Sequence, residues 1–129
     1  MPFPVDVQYV NAAEQKLGVK FPADYVIRIT KENGGAFAAG GDVWYLHPIF
    51  DNSDRKRLKR TCNDVVRETA QARQWPDFPE EAVAIGDNGT GDRLVLVPDS
   101  TGRLGNQVYW WAHDTGELHE VAESFAETH

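Results

Sequence analysis

Near residue 80 the hydrophobic period of the chain changes. Before that point apolar residues recur at three- and four-residue spacing, as on one face of a helix. After it they come as short continuous or alternating runs, AVAIG, RLVLV, QVYWWA and ELHEV. Turn chemistry sets each run off from the next: Asn88-Gly89 with Thr90-Gly91, then Asp99 to Gly102, then Asp114-Thr115-Gly116. Connections this short cannot carry a crossover to a parallel strand, so the runs pair antiparallel in sequence order. Helices first and antiparallel strands last make an α+β fold rather than a doubly wound parallel sheet.

Within the first part, Val7, Val10, Ala13 and Leu17 form one helical stripe between Val5 and Gly18. A second helix starts at Pro22, turns Tyr25, Val26 and Ile29 inward, and stops at Asn33-Gly34-Gly35. The stretch AFAAGGDVWYLHPI reads as a hairpin turning at Gly40-Gly41 and closed by Pro48. Ser53 is placed to cap the longest helix, roughly 54–73, with Leu58, Cys62, Val65 and Val66 facing the sheet. A short terminal helix is expected over Ala122 to Thr128. No repeat, low-complexity tract or linker interrupts the sequence, so 1–129 is expected to form a single domain, its helices packed on the sheet. At 129 residues, 41% of them apolar, it buries a core without a metal or disulfide staple. One cysteine excludes an intramolecular disulfide and suits a reducing compartment. The start, MPFPVDVQ, has neither the basic nor the apolar region of a leader, and no apolar run approaches membrane-spanning length; the expectation is an unprocessed, cytoplasmic chain with no membrane contact.

The net charge is −7 and unevenly placed. Residues 1–76 carry 11 basic and 9 acidic groups, net +2, whereas residues 77–129 carry 2 basic and 11 acidic groups, net −9. That balance argues against nucleic acid as a partner and favours cationic ones. Arg55, Lys56, Arg57, Lys59 and Arg60 form the one basic cluster, read as a solvated helix face. Cations at a helix start oppose the macrodipole, so compensation is expected from Asp51, Asp54 or the acidic sheet.

No motif carries a complete catalytic signature. Asp114-Thr115-Gly116 matches the aspartic-protease triplet, but it lies between two strand runs and reads as a hairpin turn. GDNGTGD lacks the residue order of a calcium loop, although Asp87 and Asp92 could converge beside it. Neither Gly34-Gly35 nor Gly40-Gly41 leads from a strand into a helix, as a phosphate loop does. His113 and His119 flank a turn, and Cys62 reads as a small buried hydrophobe, which leaves zinc short of ligands. No catalytic residue, metal or cofactor is therefore expected. Trp110 and Trp111 must point to opposite faces of their strand; one is core, and the other, with Tyr109 or Tyr45, is a candidate anchor for a partner. The candidate contact set is Asp99, Tyr109, Trp111, Glu117, Glu120 and Glu123.

A first helix ending in LG, then FPADY, a helix closed by ENGG, a tryptophan strand, a long helix, AIGDNGTGD, an aromatic strand and a final ESFAE together resemble the SUKH superfamily. That superfamily contains the fungal cell-wall assembly regulator Smi/Knr and many bacterial immunity proteins. The resemblance runs from about Val7 to Glu127, and relatives usually continue into a longer helix after the Ser-Phe pair. It implies helices against a curved sheet and a non-catalytic domain that works by binding other proteins. Pro22, Gly34, Gly35, Gly89, Gly91, Asp92, Ser124 and Phe125 match structural determinants of the superfamily rather than a binding site. The implied role is an immunity protein that neutralises a cognate toxin, a basic nuclease being the type that an acidic surface fits. The alternative is a scaffold or regulatory protein of the Smi/Knr type. An enzyme would require Asp87, Asp92, Asp114 or the histidines to converge in a pocket.

Overall fold

The computed structural model describes residues 3–125. Two helices come first, α1 (Val7–Leu17) and α2 (Ala23–Lys31). Asp6 caps α1 by accepting the Gln8 N–H at 2.9 Å, and Gly18 ends it with φ +71°, a left-handed conformation that sends its N–H back to the Glu14 carbonyl. Val10 and Ala13 are buried from α1, and Tyr25 and Ile29 from α2, as their spacing predicts; Val7, one turn earlier, stays exposed.

The expected long helix is two short ones, α3 (Arg55–Arg60) and α4 (Val65–Ala72). Asp54, not Ser53, caps the first by accepting the Arg57 N–H at 2.7 Å, and Asp64 caps the second through the Arg67 N–H at 3.0 Å. The buried Thr61 causes the break. Its hydroxyl donates to the Arg57 carbonyl at 2.9 Å and accepts the Asp51 N–H at 2.9 Å, tying the chain to the preceding loop. Val65 then donates its N–H to the Pro48 carbonyl, which sets the start of α4 against the end of the first hairpin. The apolar face divides accordingly: Val65 is buried and Val66 half-buried, whereas Leu58 and Cys62 are exposed and do not face the sheet. The expected compensation for the basic cluster is present, since Arg57 pairs with Asp54 at 2.5 Å and lies 3.7 Å from the buried Asp51.

Strands β1 (Ala36–Ala39), β2 (Asp42–Leu46), β3 (Val83–Asp87), β4 (Arg93–Leu96), β5 (Val108–Trp111) and β6 (Leu118–Ala122) form one antiparallel sheet in sequence order. The sheet curls. Trp44 meets Trp110 edge-on at 5.0 Å and Phe37 meets Phe125 at 4.5 Å, so the first hairpin reaches the last strands across the concave side. At the hairpin tip Gly40 has φ +62°, and a Cβ there would stand 2.7 Å from Val121; glycine is required both for the turn and for the approach. The concave side holds the main core, with Val10, Tyr25, Ile29, Trp44, Ile85, Leu94 and Val108 among its members. Of the terminal helix expected over 122–128, Ala122 instead closes β6, while Phe125 has 3₁₀-helical conformation and enters this core; residues 126–129 lie outside the described residues.

Beyond Pro48 the chain leaves the sheet, so β2 pairs with only the second half of β3. At Ala84 the Thr69 hydroxyl of α4 takes the place of a strand partner and accepts the backbone N–H at 3.0 Å. This buried bond docks α4 against β3 and satisfies a donor that would otherwise be stranded.

Candidate functional site

Directly paired residues share a face of a sheet, so the register defines the outer surface. Tyr45, Asp87, Arg93, Trp111 and Leu118 form one row across it from β2 to β6, with Ala84, Val95, Tyr109 and Glu120 in the neighbouring row. Part of this face is covered. Phe78 and Ala72 pack with Ala84, Val95 and Trp111 in a second, smaller core. Trp111 is 0% exposed, packs edge-on against Phe78 and Trp75, and donates its indole N–H to the Asp77 carbonyl at 3.2 Å. It is therefore removed from the contact set: the loop carrying Trp75 and Phe78 closes over it. Trp110 faces the concave side, as parity requires, and its indole donates to Asp92 at 2.8 Å.

The uncovered part of the outer face has the composition of an interface. Val43 and Tyr45 on β2, Trp75 above Trp111, and Leu118 on β6 are exposed, and Tyr45 keeps 61% of its surface. Tyr109 is half-buried on the same face. Exposed large apolar and aromatic side chains in one layer are the usual currency of protein recognition. The alternation in Asp-Val-Trp-Tyr-Leu makes Val43 and Tyr45 outward partners of the inward Trp44 and Leu46. Trp75 has no such signal, since it lies in a proline-containing loop outside any regular element.

The four carboxylates of the contact set are all exposed, but they are spread along the sheet. Glu117 stands at the start of β6, where its carboxylate meets His119 at 3.1 Å; strand alternation therefore puts it on the side of Trp110 and His119, opposite Leu118 and Glu120, and only Glu120 lies in the outer rows. Glu120 pairs across to Tyr109, and Glu123 follows the end of the strand. Asp99 lies in the loop after β4, at the end of the sheet that Glu123 also occupies. The hydroxyl and N–H of Thr101 donate to its carboxylate at 2.6 and 2.8 Å and hold its pKa below the ordinary range.

The residues considered for catalysis or metal binding are engaged in the fold. Asp92 accepts from the Trp110 indole, the His113 N–H and the His113 ring, which ties the turn after β3 to the end of β5. Those contacts outweigh its partial burial and lower its pKa. Asp87 turns to the Gly89 N–H and lies 3.8 Å from His47. Asp114-Thr115-Gly116 is the turn joining β5 to β6, closed by the Gly116 N–H on the Ala112 carbonyl. Among the described residues no three histidine, cysteine or acidic side chains are grouped to hold a metal, and no helix is long and apolar enough to cross a membrane.

No curated protein matches the chain. The family model described as SMI1 / KNR4 family (SUKH-1) matches residues 4–128, nearly the whole sequence. Its members are generally non-catalytic and interact with other proteins. The curled antiparallel sheet with its helices agrees with that match, and the chain belongs to the SMI1/KNR4 family (SUKH-1).

Proposed function

We propose that this chain is an immunity-type binding protein that acts in the cytoplasm as one domain and neutralises a cognate bacterial toxin. The toxin is held on the outer sheet surface around Tyr109 and Glu120, with Glu117, Glu123 and Asp99 at its borders. One observation carries the reading: exposed aromatic and apolar side chains share a sheet face with the outward carboxylate of Glu120, and further exposed carboxylates border it. Apolar side chains supply affinity where water is excluded, and the carboxylates select and steer a basic surface such as that of a nuclease. Membership of a protein-interacting family supports it.

The test begins with the neighbouring reading frame. If it encodes a large polymorphic toxin, expressing that toxin's C-terminal domain should stop growth, and co-expressing this chain should restore it through a stoichiometric complex. A toxin that remains lethal and forms no complex would overturn the reading. The alternative would then stand, a scaffold or regulatory interaction protein of the Smi/Knr type.

A further inference from the structure

Burial does not account for the strong charge of the basic helix α3. None of its six residues is buried, so packing does not offset the cost of forming so short a helix. Five of the six are cations, and placing them together adds repulsion. Acidic neighbours meet only part of that charge: Asp54 and Asp51 both engage Arg57. Among the described residues no carboxylate lies within 4.0 Å of Arg55, Lys56 or Lys59. The side chains are nevertheless ordered, because Arg57, Arg60 and Lys56 gather on the Phe3 ring at 4.4, 4.9 and 5.6 Å from its centre.

Beside the helix runs a cleft of about 350 Å³, lined by Gly34, Gly35, Leu46, Pro48, Arg60 and Asn63. Arg60 belongs to both the cleft and the cationic face, so the two form one surface. We propose that α3 and this cleft are a second docking surface, separate from the outer sheet face, that receives a short extended acidic segment of a partner protein. Charge complementarity identifies the occupant. Once the five cations are set aside from the net −7, the rest of the chain carries −12, which would repel a long polyanion beyond the patch. A helix of six residues is only about 9 Å long, suited to a few carboxylates rather than to a phosphate run. The ring at its base is covered by cations and offers no stacking platform to a base.

The experiment uses a fluorescein-labelled peptide of ten alternating glutamates and glycines, titrated with the full chain at low and high salt and read by anisotropy. Binding is expected at low salt and should be lost at high salt. Arg55→Glu with Lys59→Glu should weaken it by at least about tenfold, whereas Arg67→Glu with Arg103→Glu, the same change in net charge elsewhere, should alter it by less than about twofold. Asn63→Trp, which fills the cleft and leaves the charge unchanged, should weaken it about fivefold or more. No binding at low salt, equal losses in the two charge-reversed variants, or an unchanged affinity for Asn63→Trp would each overturn the proposal. Tighter binding of a single-stranded ten-nucleotide DNA would overturn it in favour of nucleic acid. Concentration-dependent sedimentation abolished by the α3 reversals would overturn it in favour of a second copy of this chain. Because α3 buries nothing, the reversals should leave the thermal unfolding midpoint near its starting value, so lost binding reads on the surface and not on folding.

Discussion

His47 places an imidazole where protonation is costly. Its side chain is 4% exposed, and among the described residues its Nε2 has no hydrogen-bond partner, with the Asp87 carboxylate 3.8 Å away. Burial lowers its pKa from the ordinary 6.5 to about 4; the charge of Asp87 acts in the opposite direction but is outweighed. The unfolded chain therefore takes up this proton near pH 6.5 and the folded chain only near 4. Between those values the unfolded state binds more protons, so stability falls as pH falls, by at most about 1.4 kcal/mol per pH unit. The depressed carboxyls of Asp92, Asp54 and Asp99 give up their stabilisation at lower pH, and the raised pKa of Glu68 acts in the opposite sense. Urea denaturation should show the native chain losing about 1–2 kcal/mol between pH 6.5 and 5 relative to a His47→Gln variant. Parallel pH profiles for the two proteins would show that His47 does not titrate on unfolding.

At the scale of elements, one hydroxyl supplies the buried hydrogen bond that ties α4 to β3. Thr69→Val keeps the shape and removes the acceptor for the buried Ala84 N–H, so it should cost about 1–3 kcal/mol in urea denaturation, whereas Thr69→Ser should retain most of the stability. The division between α3 and α4 gives a second contrast. Val65→Asp would bury an unpaired charge and should unfold the chain at a cost of several kcal/mol, while Leu58→Asp, on an exposed turn, should stay within about 0.5 kcal/mol in a thermal melt. That break explains what the sequence concealed. All six strands were legible, because short continuous or alternating apolar runs bounded by Gly and Asp turns have few alternatives. Leu58, Cys62 and Val65 continue a helical spacing straight through the break, and the bonds that stop the helix join Thr61 to Asp51, ten residues earlier. Parity likewise showed that Trp110 and Trp111 face apart but not which would be covered. That depends on Phe78, more than thirty residues away, and on the direction in which the sheet curls.

Across the whole molecule, charge is separated: cations gather on α3, and carboxylates line the C-terminal strands. Such an arrangement orients an approaching charged partner before any contact is made. For a basic toxin on the outer sheet face, Glu120 is an exposed charge of that face and Glu117 an exposed charge at its edge, and both act mainly on encounter, whereas side chains such as Tyr45 and Tyr109 act on residence once water is excluded. Raising the ionic strength from about 0.01 to 1 M shortens the screening length from roughly 30 to 3 Å, so the association rate should fall by about tenfold or more while dissociation changes little. Glu117→Lys with Glu120→Lys should reproduce that loss at low salt, and Tyr45→Ala should instead raise the dissociation rate. Stopped-flow association and surface-bound dissociation separate the two. An association rate insensitive to both salt and charge reversal would remove the electrostatic part of recognition and leave the exposed apolar residues of the sheet as the source of affinity.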